Sequence, residues 1–200
     1  MTIMKGDRGM QGKRLRITLR LWTIRSSVKR ARYLKEKGVF AAMGDGCSIQ
    51  KRHLPLYSKL IKLGNNVHIA SNVGFITHDI THMMLNCSNV ANSIGTGLRF
   101  REKVGCIEIG DNVFIGSGTR ILYDVKVGSN VVIGSGSIVN EDIPDNSVAA
   151  GIPAKVIGSF EDFVNKRLHE TDYPQEYAPK REVVCEELAD LLWKDFYKKR

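Results

Sequence analysis

The sequence predicts an all-β protein: a parallel β-solenoid with helical segments at its N- and C-termini. Three observations carry this. Ile109, Ile115, Ile121, Val127, Ile133 and Val139 fall six residues apart without a break. Gly110, Gly116, Gly128 and Gly134 directly follow four of the first five, and a small or branched side chain lies four residues after each: Val113, Thr119, Val125, Val131, Ser137. The pairs Asn65-Asn66, Asp111-Asn112 and Ser129-Asn130 supply residues that tolerate positive φ where the chain must turn. A helix would space its apolar residues at 3.6, and a flat strand would alternate without resetting. Short strands joined by regular corners satisfy the pattern. Three six-residue units make one triangular coil, stacked on the next at about 4.8 Å. Parallel crossovers are right-handed in about 98% of cases, and the spacing alone leaves the hand of this one open.

Taken from the N-terminus, residues 1–38 hold twelve Lys/Arg and two Asp/Glu, a net of +10, and residues 39–200 carry −1. Basicity confined to one segment argues against nucleic-acid binding by the body of the protein. Ile17, Leu21, Ile24, Val28 and Ala31 form one apolar stripe if residues 14–37 are helical, and Gly38 is a helix stop. Leu15 to Leu21 also alternates at period two, which fits a strand. Arg16, Arg20, Arg25, Lys29 and Arg32 fill much of the remainder. Two roles are open: a cap on the first coil near Met43 with its arginines in solvent, or a stripe lying on anionic membrane. The arginines interrupt every apolar run before a signal-peptide core forms, and no stretch approaches the roughly twenty apolar residues of a span. The expected location is cytoplasmic, peripheral to the inner face of the membrane if the second role holds.

Residues 39–158 are the solenoid. The period reappears as Leu63, Ile69 and Phe75 with inward partners Val67 and Val73, and more weakly as Met43, Cys47 and Ile49. Tyr57 and Ile61 can be fitted between them. Residues 79–106 interrupt the repeat as a loop insertion. Cys47, Cys87, Cys106 and Cys185 form no CxxC pair and read as buried thiols in a reducing compartment. Residues 159–200 extend the chain: Ser159-Phe160-Glu161-Asp162 opens a short helix to about Glu170. Pro174 and Pro179 bracket a link, and residues 181–198 form a second helix with Val184, Leu188, Leu191 and Leu192 on one face.

The run IGDNVFIGSGTRILYDVKVGSNVVIGSGSIVNEDIPDNSVAAGIPAKVIG resembles the hexapeptide-repeat acyltransferases, over about residues 38–158. The nearest branch holds galactoside and maltose acetyltransferases, xenobiotic acetyltransferases and polysaccharide O-acetyltransferases. The resemblance implies a left-handed parallel β-helix and a homotrimer. It implies active sites in the clefts between subunits, with acetyl-CoA as acyl donor along a groove beside the coils and no metal.

Acetyl transfer to a hydroxyl needs a base, donors for the oxyanion and a slot for the CoA arm. His78, in FITHD where the repeats stop, stands at the junction where the family carries its catalytic histidine. His82, four residues on, either contacts the acceptor or decorates the loop. Asp79 adjoins the base, but neighbouring strand residues point to opposite sides, so an acceptor contact is its expected role. His68 points out of the prism, and His53 and His169 have no constellation around them. By the resemblance, Ser117 lies near the thioester, Ser135 contacts the pantetheine arm and Lys155 binds CoA phosphates. Two departures stand out. Asn140-Glu141 replaces the Thr-Lys common in relatives, and a glutamate there repels phosphate. Gln50 replaces an acceptor-binding asparagine, keeping the amide at longer reach, and is expected to contact the acceptor. Ser58 falls where those enzymes place an acceptor-binding aspartate, but within the loosely registered stretch, and is left out of the expected site.

The expected activity is acetyl-CoA-dependent O-acetylation of a sugar hydroxyl, the sugar belonging to a surface polysaccharide or its precursor. A xenobiotic acceptor is the alternative. A zinc carbonic anhydrase would need three converging histidines, for which His68, His78 and His82 give the count without the spacing. A non-enzymatic β-helical scaffold is the remaining class. The loop 79–106 matches no motif that would name the acceptor.

Overall fold

The computed structural model describes residues 6–87, 99–170, 173–180 and 183–200, with side chains from residue 12 onward. The chain divides into two compact units, Met1–Phe160 and Glu161–Arg200.

The first unit is built on a three-faced parallel solenoid. One face pairs β1 (Ala42–Met43), β3 (Ile61–Leu63), β8 (Ile107–Ile109) and β11 (Val125–Val127). The second pairs β2 (Ser48–Ile49), β4 (Val67–Ile69), β9 (Val113–Ile115), β12 (Val131–Ile133) and β14 (Ser147–Gly151). β15 (Ala154–Ser159) folds back antiparallel on the last of these. The third pairs β5 (Gly74–Ile76), β10 (Arg120–Leu122) and β13 (Ile138–Val139). From β3 to β13 the solenoid strands visit the three faces in turn, which is the triangular coil read from the period. Ile109 lies over Val127 and Ile115 over Ile133, with a coil of 18 residues between stacked positions.

All eleven inward positions named from the repeats between Ile109 and Val139 are buried, Thr119 and Ser137 among them. The two buried hydroxyls each donate to Gly134 O, at 3.1 and 2.7 Å, so neither is left unpaired. Tyr57 does not fit the repeat. It is exposed, with a left-handed backbone (φ 47°), while Ile61 is buried as fitted.

Glycine and asparagine divide the corners between them for different reasons. Asn66, Asn112, Asn130 and Asn146 hold positive φ, and their amides form a ladder: each Nδ2 donates to the next Oδ1 at 3.0, 3.0 and 2.8 Å. The glycines after each aliphatic answer instead to close approach. A Cβ on Gly110 would sit 2.7 Å from Gly128 C, and one on Gly64 would sit 2.6 Å from Gly110 O.

The basic N-terminal segment is two helices, α1 (Gly6–Thr23) and α2 (Ser27–Glu36), not one. The chain breaks at Ile24–Ser26, and the Ser26 hydroxyl caps α2 by accepting from Lys29 N. The break rotates the predicted stripe. Ile17, Leu21 and Ala31 stay buried, Leu34 joins them, and Val28 turns outward. Arg30, which no periodicity singled out, is 4% exposed. Its Nε donates to Ile49 O at 2.9 Å, and its Nη1 donates to Ile24 O and Arg25 O at 2.7 and 2.8 Å.

In the second unit, α4 (Phe160–Leu168) begins in the first unit's last residue, and α5 runs Glu186–Lys198, starting later than predicted. Val184 precedes it and is exposed, and Leu188 is the buried residue of its predicted face. Residues 181–182 lie outside the described residues. The cysteines are free but not uniformly buried. Cys47 is buried, Cys185 is intermediate, and Cys87 and Cys106 are exposed, so only Cys47 acts as a small core hydrophobe.

Candidate active site

The repeat breaks after β5. β6 (His78–Asp79) leaves the solenoid and pairs antiparallel with β7 (Lys103–Val104), His78 opposite Val104 and Asp79 opposite Lys103. α3 (Thr81–Cys87) follows on the arm so formed. Residues 88–98 of the predicted loop lie outside the described residues.

Six side chains gather at the base of the arm around His78 and Asp79. The Tyr57 ring stands edge-on to the His78 imidazole, centroids 5.0 Å apart. Its hydroxyl donates to both Glu102 carboxylate oxygens at 3.0 and 3.2 Å, which raises the phenol pKa. Asp79 accepts from Thr81 Oγ1 at 2.6 Å, Thr81 N at 3.1 Å and Tyr123 Oη at 2.8 Å. The Thr81 hydroxyl first, then Tyr123, hold its carboxyl below the usual carboxylate range. Lys103 pairs with Asp124 at 2.7 Å and lies 5.4 Å over the Tyr123 ring. The structure thus commits Asp79 to fastening the arm to the coil, a use that alternation along a strand did not reveal. Tyr57, Glu102 and Tyr123 carry no motif; their partners lie 44 and 45 residues away in sequence.

Nδ1 of both His78 and His82 is buried and, among the described residues, has no hydrogen-bond partner. Leaving a buried polar atom unpaired costs about 1–3 kcal/mol, so a hydroxyl-bearing ligand reaching either nitrogen recovers that cost. His68 differs. Its Nδ1 lies 2.7 Å from Ser48 Oγ and its Nε2 lies 2.8 Å from Asn66 Oδ1. The asparagine ladder sets Asn66 with Oδ1 toward the ring, so Nε2 donates and Nδ1 accepts. Both nitrogens are spent, and His68 has none left for the zinc reading.

Gln50, Ser117, Ser135 and Lys155 come together along one edge of the prism. Gln50 follows β2, Ser117 follows β9 and Ser135 follows β12, on strands in register; Lys155 pairs with Ala150, one position past the residue above Ile133. Ser71 links the column, its hydroxyl donating to Gln50 Oε1 at 2.7 Å and its carbonyl accepting from Ser117 Oγ at 2.8 Å. Lys155 Nζ pairs with Glu141 at 2.8 Å, so the departure noted in the sequence shares the charge of the expected phosphate ligand. Ser58 lies in a short turn, Ser58–Leu60, beside Tyr57. His78 follows the third face, and so lies at a different edge of the same chain from the Gln50–Lys155 column. Among the described residues no group of three His, Cys, Asp or Glu side chains is arranged to hold a metal ion.

Residues 106–141 match the model of the bacterial transferase hexapeptide (six repeats). The chain is 45% identical over 120 residues to Protein CapG of Staphylococcus aureus, covering 57% of this chain and 61% of CapG, so it spans about three fifths of that relative. It is 34% identical over 159 residues to the galactoside O-acetyltransferase of Escherichia coli, covering 74% of this chain and 76% of that protein. The structure of a galactoside acetyltransferase in complex with coenzyme A superposes with a TM-score of 0.56 at 30% identity, covering 86% of this chain and 92% of that one.

Proposed function

Because this chain belongs to the hexapeptide-repeat acetyltransferase family, we propose that it transfers an acetyl group from acetyl-CoA to a sugar hydroxyl, with His78 as general base. The observation that carries this is the place of His78, at the base of the arm where the chain leaves the repeat, with its Nδ1 unpartnered among the described residues. The imidazole takes the hydroxyl proton as the oxygen attacks the thioester carbonyl. The carbon–sulfur bond breaks as the tetrahedral intermediate collapses, and the imidazolium returns its proton to the departing thiolate. An N–H near Ser117 meets the oxyanion. The coenzyme A complex of the galactoside acetyltransferase supports the donor, and the edge bearing Ser117, Ser135 and Lys155 is the proposed groove for it. Gln50 and His82 face the acceptor in this reading, and Asp79 acts on it through the arm.

The separation of His78 from the donor edge within one chain supports a site completed by a second copy, in a homotrimer of left-handed solenoids. Surface-polysaccharide sugars or their precursors are the acceptor class, and the cytoplasm is the compartment. An acetyl-CoA consumption assay over a panel of sugars and polysaccharide fragments tests the proposal. His78→Ala is expected to lose about 10²–10⁴ in turnover while binding acetyl-CoA normally. A variant keeping more than half the wild-type turnover removes His78 as the base. Mixed trimers of His78→Ala and Lys155→Ala subunits regain activity at low acetyl-CoA if the site is shared between copies.

A further inference from the structure

Among its described side chains, from residue 12 onward, α1 carries two apolar stripes, of which one is buried in the fold. Ile17 and Leu21, four residues apart, belong to the solenoid core. Leu15, Leu19 and Trp22, four and three apart, fall on another face and are 60%, 59% and 53% exposed. Trp22 meets the His53 ring edge-on at 5.4 Å and the Arg52 guanidinium at 5.7 Å, contacts that orient the indole without covering it. Lys13, Arg16, Arg20 and Arg25 are exposed on and just after the same helix, and Lys29 and Arg32 on the next. No acidic residue occurs between Asp7 and Glu36.

Charge selects the occupant of this face. A second copy would bring +10 against +10. A nucleic acid would engage the cations and leave Leu15, Leu19 and Trp22 without a role. An anionic lipid surface takes both: arginines among headgroups, and leucines with an indole at the boundary of the acyl chains. The helix is not a span, since among the described residues no helix is long and apolar enough to cross a membrane. We propose that α1 docks in the plane of an anionic membrane through Leu15, Leu19 and Trp22. This is independent of the acetyl-transfer reading, and would hold the proposed site within reach of acceptors displayed at such a surface.

Co-sedimentation of the full chain with phosphatidylcholine vesicles, with and without about 30% phosphatidylglycerol, tests it. Binding is expected to the anionic vesicles at low salt, at least tenfold weaker to the neutral ones, and falling as salt rises. Each arginine neutralised should weaken partitioning about fivefold, so Arg16→Gln with Arg20→Gln should cost about 25-fold. In a Trp193→Phe background Trp22 is the sole tryptophan, and its emission should shift to the blue on anionic vesicles. Leu15→Ser with Leu19→Ser, two exposed positions, should abolish that shift while the circular dichroism is unchanged. Equal partitioning to neutral and anionic vesicles overturns the proposal, as does bound protein with no blue shift. A leucine pair that binds vesicles as wild type but dissociates the oligomer assigns the face to a second copy instead. Binding to duplex DNA with none to vesicles assigns it to nucleic acid.

Discussion

Replacing Arg30 by methionine keeps most of the aliphatic stem and removes three hydrogen bonds at once. The guanidinium holds the carbonyls of Ile24 and Arg25, just past the end of α1, and that of Ile49, the last residue of β2. A cation at a helix C-terminus also answers the helix dipole. Burial, with Arg52 second, presses its pKa below the ordinary guanidinium value, yet it remains charged. Hydrogen bonds to charged groups contribute about 1.5–3 kcal/mol each. The carbonyls of Ile24 and Arg25 can turn to water when released; the bond to Ile49 is buried and its loss is not recovered. A net cost of about 3 kcal/mol follows, which for a chain of this size lowers Tm by about 6–12 °C. Calorimetry reads the shift, and amide exchange locates it. Protection should fall in α1 and α2 and stay high in β8 to β13. A Tm within about 1 °C of wild type, with α1 protection unchanged, would show that the three carbonyls are satisfied without Arg30 and refute the argument.

Gly110→Ala places a Cβ against the backbone of the next coil, 2.7 Å from Gly128 C, and should destabilise by about 1–3 kcal/mol in denaturant melts. The arm should loosen in acid. Because hydrogen bonds hold the Asp79 pKa below its unfolded value, the fastening is complete above the ordinary carboxylate range and is lost as pH falls through the depressed value. Limited proteolysis or amide exchange at residues 79–87 should show this trend in the wild type and none in Asp79→Asn. Lys155→Ala should raise the KM for acetyl-CoA with turnover at saturation kept, and Glu141→Gln, which frees Lys155 from its 2.8 Å partner, should lower it. Equal losses with short acetyl donors lacking the nucleotide would make Lys155 structural.

What the sequence made legible is what repeats. Aliphatics every six residues found the core from Ile109 to Val139, and the turn pairs found Asn66, Asn112 and Asn130, because each coil poses the same local problem and solves it with the same residue types. The junction at His78 was visible because the regularity ends there. Arg30 was not, since a buried cation follows no apolar period. The break at Ile24–Ser26 rests on one serine cap, too little signal against a stripe that runs through it. The Tyr57–Glu102 and Asp79–Tyr123 pairs join residues that only the return of the chain from the arm brings together. The repeat glycines stand out in the sequence, but the close approach between coils that requires them shows only in the stacked structure.

The way the chain returns has a consequence for how such a protein can diversify. Gly105 N donates to Thr77 O at 2.9 Å, so the exit and re-entry of the arm are bonded to each other. Beyond them Ile61 and Leu63 meet Ile107 and Ile109 in the register an uninterrupted coil would give. The register of the coils is therefore set at the two roots of the arm, and the arm touches the coils beyond them through Tyr57–Glu102, Asp79–Tyr123 and Lys103–Asp124. An arm exchanged at these two points keeps the register of every stacked coil and needs new partners for Tyr57, Tyr123 and Asp124. Change in the arm and retention of the Gln50–Lys155 edge are thereby separable, so one framework can be fitted with new arms one at a time.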